Sequence, residues 1–238
     1  MTTIRNNLQR VRERIAAACA HAQRPVTDVT LLAVSKTFGP EAVREAHAQG
    51  QLAFGENYIQ EAVEKIALLR DLPLQWHCIG PVQSNKTRLV ATHFDWVHTI
   101  DRLKIAQRLS EQRPAELAPL RVCIQVNIDG GPTKAGVAPD QALALAREVR
   151  QLPRLQLRGL MTIPEPSGDA ATQRAVHQRV RLLLDQMNEA GLGLDTLSMG
   201  MTADLEAAID AGSTLVRVGT AIFGGRRATS LAPAAPAA

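Results

Sequence analysis

The sequence predicts a single (β/α)8 TIM-type barrel preceded by one extra helix. Eight short apolar segments alternate with helical patterns from residue 30 onward, as parallel strands with helical crossovers require. The chain has 238 residues, close to the usual length of one barrel, and 45% of them are hydrophobic, enough for one large core. We expect residues 1–228 to form one domain and the aperiodic tail at 229–238 to be disordered. A doubly wound open sheet is the alternative.

Each predicted element has its own pattern in the chain. The extra helix is predicted by five apolar residues at helical spacing, namely Ile4, Leu8, Val11, Ile15 and Cys19. The eight predicted strands are TLLAVSK, QLAFG, LQWHCIG, DWVHTI, LRVCIQVNI, LQLRGLMTI, DTLSMG and TLVRVG. Helical patterns lie between them, for example PEAVREAHAQG after the first strand and TADLEAAIDAG after the seventh.

Composition and charge argue against several functions. The net charge is only +4, the arginines are dispersed, and aromatic residues are 3%, so a nucleic-acid surface is not expected. No apolar run could span a bilayer and the polar N-terminus is no secretory signal, which predicts a cytoplasmic protein without a membrane partner. The three cysteines lack metal-ligand spacing and are expected to be buried free thiols, with no metal site.

Lys36 ends the first predicted strand, where the chemistry of a barrel is usually located. Strand alternation places Leu32, Val34 and Lys36 on one face. If that face is the barrel interior, partial desolvation lowers the pKa of the lysine, and the free amine can attack a carbonyl. A strand-end lysine that only reaches into solvent is the other interpretation.

The last two predicted strands end in loops suited to a phosphate. Strand seven runs into SMGMT at 198–202, where Thr202 is expected to cap the next helix, and strand eight ends with Gly219 and Thr220. Backbone N–H groups and hydroxyls of such loops bind anions. A lysine amine facing a phosphate site suits a phosphorylated aldehyde: either pyridoxal 5'-phosphate (PLP) or the sugar phosphate of a class I aldolase. The residues alone do not separate these two.

Several motifs in one order carry a resemblance to a known family. LLAVSKTF, FGENYIQE, WHCIGPVQSNK, NIDGGPTKAGV, RGLMTIP and LSMGMTADLEAAIDAGSTLVRVGTAIFG resemble the pyridoxal phosphate homeostasis proteins, the YggS/PROSC type. The resemblance implies a barrel like the N-terminal domain of alanine racemase and a role in vitamin B6 and amino-acid homeostasis without established turnover. It implies PLP held as a Schiff base on Lys36, with further cofactor contacts from Asn57, His77, Ser198, Gly200, Met201, Thr202, Arg217, Gly219 and Thr220.

Arg217 bears on what a bound cofactor could do. An arginine between Val216 and Val218 in an apolar strand is unfavourable unless it is paired, so we expect a cofactor nitrogen or a buried carboxylate beside it. An arginine has no acceptor lone pair and can only donate to an unprotonated ring nitrogen. Such a ring is a weakened electron sink, which disfavours transamination.

The resulting hypothesis is a protein that holds PLP without catalytic residues. Racemases of the related fold use a tyrosine from an extra domain of the partner subunit, and here the chain ends soon after strand eight with Tyr58 as its one tyrosine. A PLP-dependent racemase-like enzyme is therefore the alternative, and a class I aldolase the next. PLP-accepting apo-enzymes are expected partners, and a monomer is expected.

Overall fold

Eight parallel strands close a barrel in chain order, so that β1 pairs with both β2 and β8. The computed structural model describes residues 3–131 and 134–225, and the predicted tail at 229–238 lies outside these ranges. The closed sheet confirms the predicted (β/α)8 barrel against the open-sheet alternative. The strands are Thr30–Val34 (β1), Ala53–Glu56 (β2), Gln75–Cys78 (β3), Trp96–Ile100 (β4), Leu120–Gln125 (β5), Leu155–Met161 (β6), Thr196–Ser198 (β7) and Leu215–Val218 (β8).

Helices surround the barrel as the alternating pattern predicts. The helices of the described ranges are Ile4–His21 (α1), Pro40–His47 (α2), Ile59–Leu68 (α3), Thr87–His93 (α4), Leu103–Gln112 (α5), Pro139–Arg150 (α6), Ala170–Glu189 (α7), Leu205–Asp210 (α8) and Thr220–Phe223 (α9). The predicted extra helix is α1, which begins after Thr3, whose hydroxyl accepts the N–H of Asn6. It buries Leu8, Val11 and Ile15 and packs against α2, α8 and α9.

Strand alternation separates two apolar layers. The larger core lies between strands and helices and includes Ala33, Phe54, Val97 and Val216. The opposite faces of β1, β2 and β8, with the residue that follows β3, form a second cluster inside the barrel, made of Leu32, Val34, Ala53, Ile79 and Leu215. Polar side chains fill much of the remaining interior, and they lead to the candidate site.

The observed strands stop earlier than the predicted segments. The ladder of β1 ends at Val34 and that of β3 at Cys78, so Lys36 and Gly80 lie in loops beyond the strands. One further backbone hydrogen bond to β2 follows each strand, from Ser35 to the Gly55 carbonyl and from Ile79 to the Glu56 carbonyl, while the sequence alternation continues beyond both. The apolar pattern therefore overestimates strand length where the barrel opens.

The cysteines are structural. Cys19, Cys78 and Cys123 are all free and buried, as predicted. Burial raises the pKa of both Cys78 and Cys123 to about 12, so neither carries a reactive thiolate near neutral pH. No helix in the ranges 3–131 and 134–225 combines the length and apolar character needed to cross a bilayer.

Candidate functional site

Lys36 lies at the carboxyl-terminal mouth of the barrel, directly after β1. Leu32 and Val34 of this strand are in the interior cluster, which confirms the predicted inward face. Two residues further on, Lys36 is half-buried. The amine is therefore carried at the edge of the barrel interior, where a lysine could meet a bound aldehyde.

The turn after Lys36 is strained. Thr37 has φ +68°, in the left-handed region that a β-branched residue rarely adopts, and the Phe38 N–H closes the turn on the Ser35 carbonyl at 3.1 Å. Such a conformation costs about 1–3 kcal/mol and persists where neighbours hold it. Strain of this kind is concentrated at functional sites.

A buried ion pair holds the residue that precedes Lys36. Glu56 Oε1 accepts hydrogen bonds from Lys65 Nζ and from Ser35 Oγ, each at 2.7 Å. Lys65 Nζ also donates to the Ser35 carbonyl at 2.9 Å. The end of β1 is thus fixed through both the side chain and the backbone of Ser35.

The loop after β8 approaches the same strand. A Cβ at Gly219 would lie 3.2 Å from the Val34 carbonyl oxygen, so a glycine allows the close approach. Gly219 precedes Thr220 at the start of α9, and within residues 3–131 and 134–225 neither backbone N–H donates to a protein acceptor. These two N–H groups can bind an anion near Lys36.

The loop after β7 is built around Gly200. Its φ is +93°, and a Cβ there would lie 2.5 Å from the Cβ of Ala208. The expected helix cap at Thr202 is wrong, because α8 begins at Leu205 with Asp204 in the cap position. A turn at 202–204 separates the loop from the helix.

Met201 does not join the mouth. Its N–H donates to Asp204 Oδ1 at 2.7 Å and is therefore already used. Its side chain lines a separate small cavity of about 130 Å³, together with His177 and Asp204. This N–H would have to leave Asp204 to bind a cofactor, and the contact at Met201 stays a prediction.

Arg217 is buried, with 4% of its surface exposed, but no carboxylate pairs with it among the described residues. Nη1 donates to the Ser198 carbonyl at 2.6 Å and to Ser198 Oγ at 2.8 Å, and Nη2 donates to the Thr162 carbonyl at 2.8 Å. Two carbonyls and a hydroxyl thus stand where a buried carboxylate was one of the two expected partners, while the other, a cofactor nitrogen, stays a prediction. Burial lowers the pKa of Arg217 to about 10, so it stays charged at neutral pH.

Ser198 and His77 lie deeper than the mouth. Ser198 is fully buried, and its hydroxyl contacts Arg217 and His98, so it is not available to a phosphate.

His77 forms hydrogen bonds with His98 at 2.9 Å and with Gln75 at 3.0 Å. Both Gln75 and His77 line a cavity of about 500 Å³ at the opposite, amino-terminal mouth. β3 thus carries His77 toward the amino-terminal end of the barrel interior, and its cofactor contact stays a prediction.

Asn57 lies at the carboxyl-terminal mouth as predicted, after β2. Its buried Oδ1 has no hydrogen-bond partner among the residues that the structure describes. It lines a cavity of about 290 Å³ with several residues that sequence reasoning did not place there, namely Ile79, Pro81, Thr99, Gln125, Lys134, Ala135 and Ile163. Lys134 belongs to the NIDGGPTKAGV motif, which was the available signal.

Residues 6–227 match the protein family described as alanine racemase, N-terminal domain. The pyridoxal phosphate homeostasis protein of Pseudomonas aeruginosa is 61% identical over 226 residues, which cover 95% of this chain and 97% of that protein. A crystal structure of an unknown protein from Bifidobacterium adolescentis is 34% identical, with a TM-score of 0.87 and coverage of 92% and 94% of the two chains. PipY of Synechococcus elongatus PCC7942, in a structure with PLP bound, is 38% identical with a TM-score of 0.77, covering 90% of this chain and 100% of PipY.

Fold and site together define the class: a (β/α)8 barrel whose carboxyl-terminal mouth combines a strand-end lysine with backbone donors for an anion. The chain belongs to the alanine racemase N-terminal domain family and, within it, to the pyridoxal phosphate homeostasis proteins. The resemblance carried by the sequence motifs is confirmed.

Proposed function

We propose that this protein binds PLP covalently on Lys36 and acts in PLP homeostasis by holding and releasing the cofactor. The observation that carries the proposal is the close approach of the loop at Gly219 to Val34, two residues before Lys36, with the N–H groups of Gly219 and Thr220 unused by protein acceptors among the described residues. The relative from Pseudomonas aeruginosa, named for PLP homeostasis and 61% identical, supports the same function.

The residues at the mouth suit the chemical groups of PLP. Bound PLP supplies an aldehyde that bonds to a lysine amine and, in enzymes, a ring that withdraws electrons. Lys36 offers the amine, and the phosphate donors are proposed to be Gly219 and Thr220, with Gly200 and Thr202 from the neighbouring loop. Arg217 lies below as a donor for the ring nitrogen. The unpartnered amide oxygen of Asn57 is a further polar group for the cofactor.

The chemistry of Arg217 favours a protein that holds the cofactor over an enzyme that uses it in catalysis. A guanidinium donates hydrogen bonds and accepts none, and Arg217 stays protonated at neutral pH. A ring nitrogen that faces it remains unprotonated, which weakens electron withdrawal from a bound amino acid. Catalysis that passes through a carbanion is correspondingly disfavoured.

The Lys36→Ala variant is expected to lose covalent PLP completely. The wild-type protein, incubated with PLP and dialysed, should show the visible absorption of lysine-bound cofactor, and borohydride reduction should leave a pyridoxyl group on the peptide that contains Lys36. The variant should show neither signal, because the amines of Lys65 and Lys134 are already held, the first by Glu56 and the second by the Ile163 carbonyl and Glu165.

Lys104→Ala is the matched control, since Lys104 is an exposed lysine on α5. It should retain full absorption and the pyridoxyl label. A wild-type protein that takes up no PLP, or a label that stays in Lys36→Ala, would overturn the proposal. Labelling of Lys36 by a sugar phosphate in place of PLP would identify an aldolase.

An absence of α-proton exchange is the expected result for the PLP-loaded protein. Single-enantiomer amino acids incubated with it in deuterated water should keep both their α-protons and their configuration, because the ring is held by an arginine. Proton NMR measures the retention of the α-proton, and chiral chromatography measures the retention of the configuration. Deuterium incorporation above that of free PLP, abolished by Lys36→Ala, would instead establish a racemase-like enzyme.

The recipients of the released cofactor are proposed to be apo-enzymes that require PLP. Their lysine amines accept the same aldehyde that Lys36 binds, so transfer needs no additional reagent. A monomeric state stays a prediction from the sequence.

A further inference from the structure

A continuous hydrogen-bonded chain crosses the barrel interior beneath the proposed cofactor site. Arg217 Nη1 lies 2.8 Å from Ser198 Oγ, and Ser198 Oγ lies 2.8 Å from His98 Nδ1. His98 Nε2 is 2.9 Å from His77 Nδ1, and His77 Nε2 is 3.0 Å from Gln75 Oε1. The five side chains come from β8, β7, β4 and β3, and we call them the interior relay.

The relay is secluded from water at its centre. Ser198 and His98 are fully buried, and His77 is 1% exposed. Burial lowers the pKa of His77 to about 3 and holds that of His98 well below its usual range, where neighbouring His77 and Arg217 act in the same direction. Both imidazoles are therefore neutral at pH 7, and each carries one N–H.

The direction of the relay follows from the hydrogens that its members carry. Arg217 can only donate, so Ser198 Oγ accepts from it. The one hydroxyl hydrogen of Ser198 then has His98 Nδ1 as its acceptor, since no other acceptor contacts Ser198 Oγ in the described part of the chain. His98 must carry its hydrogen on Nε2 and donate to His77 Nδ1. His77 in turn donates from Nε2 to Gln75 Oε1.

Arg217 is consequently locked in orientation. A guanidinium has five N–H groups, and three hydrogen bonds to Ser198 and Thr162 use three of them, which leaves two. The hydrogens that Ser198, His98 and His77 donate along the relay all point away from the carboxyl-terminal mouth, toward Gln75. None of these three side chains offers a proton to a ring nitrogen above Arg217.

We propose that Gln75, His77, His98 and Ser198 are positioning residues that hold Arg217 as a fixed donor beneath the pyridine ring of PLP. This inference rests on the proposed PLP function and extends it to residues outside the mouth. Without the relay, Ser198 could rotate and Arg217 would keep only its two carbonyl partners. The guanidinium would then present its remaining N–H groups less precisely to the ring.

The first test reads the relay without any cofactor. Histidine tautomers in the apo-protein are assigned by NMR on a sample labelled with ¹⁵N-histidine, using His98→Phe and His77→Phe to identify the signals. We expect both relay histidines to be neutral at pH 7 with the hydrogen on Nε2. An Nδ1–H tautomer or a cationic ring at either position would overturn the relay direction, whether or not the protein binds PLP.

The second test measures what the relay does for the cofactor. The variants His98→Phe and Ser198→Ala are compared with wild type for the PLP dissociation constant and the absorption spectrum of the bound form. Each variant should raise the dissociation constant about tenfold, as expected when a hydrogen bond to a charged group is weakened. The effects should not add in the double variant, because both act through Arg217. The position of the absorption maximum should also change, which a purely structural defect would not cause.

His93→Phe is the matched control, because among the described residues His93 has one hydrogen-bond partner, the Leu89 carbonyl of its own helix at 2.9 Å, away from the relay. It should bind PLP as wild type does. Wild-type affinity and spectrum in a folded His98→Phe or Ser198→Ala variant would overturn the positioning role. If His98→Phe does not fold, Ser198→Ala decides, since it removes a single hydroxyl. Failure of the wild-type protein to bind PLP would reject the proposed function itself, while the tautomer result would still stand.

Discussion

Glu56→Gln is expected to lower the free energy of unfolding by about 3–5 kcal/mol. The carboxylate accepts hydrogen bonds from Lys65 Nζ and Ser35 Oγ, and the side chains of the ion pair are only 1% and 8% exposed. The amide would leave the Lys65 ammonium buried without a counter-charge, where water cannot solvate it. Urea denaturation measures the effect as a lower midpoint with an unchanged slope.

Two comparisons show whether burial is the cause. The exposed ion pair between Arg44 and Asp71, at 2.6 Å, should contribute far less to stability because water screens both charges, so Asp71→Asn is the control. The double variant Glu56→Gln/Lys65→Met should recover much of the lost stability, because no buried charge remains. If Glu56→Gln costs no more than Asp71→Asn, the ion pair is not what holds the end of β1 at Lys36.

Gly159→Ala is expected to destabilise the barrel by about 3 kcal/mol or prevent folding. A Cβ on this residue of β6 would lie 1.7 Å from the Thr196 carbonyl oxygen and 2.6 Å from its carbon. These are backbone atoms of β7 and cannot rotate aside, so the two strands would have to separate. Ser198 is two residues along the same short strand, so PLP affinity should fall as well.

Gly168→Ala provides the matched control. A Cβ there meets no atom within 4 Å, and the change should stay within about 0.5 kcal/mol. Thermal unfolding followed by circular dichroism distinguishes the two glycines. If Gly159→Ala and Gly168→Ala have the same melting temperature, β6 and β7 can separate enough to admit a Cβ without loss of stability, and the prediction is wrong.

Much of the fold and part of the site could be predicted because they depend on local pattern. Period-two alternation placed Leu32 and Val34 inside the barrel and Lys36 at its mouth, where the structure has them. Gly200 and Gly219, expected in loops for an anion, each lie against a protein neighbour, Ala208 and Val34, that leaves little room for a Cβ. The family motifs added Asn57, which has an unpartnered oxygen at the mouth.

The remaining site residues could not be predicted, since their partners are distant in the chain. Ser198 and Thr202 belong to one loop in the sequence, yet the Ser198 hydroxyl bonds to His98, 100 residues away. Arg217 was expected to face a cofactor nitrogen or a buried carboxylate, and the Thr162 carbonyl to which it donates is 55 residues away. The spacing of apolar residues along the sequence does not show which donor and which acceptor form a hydrogen bond inside a closed sheet.

The sequence by itself determined a barrel, a lysine at the end of its first strand and a family that handles PLP. These follow from alternation and motif order, which are properties of neighbouring residues. Only the tertiary structure decided that Ser198 and His77 serve the interior and not the mouth, and that Glu56 and Lys65 hold the segment before Lys36. The physical reason is closure of the barrel: it buries polar side chains from several strands together, and each must find a partner there.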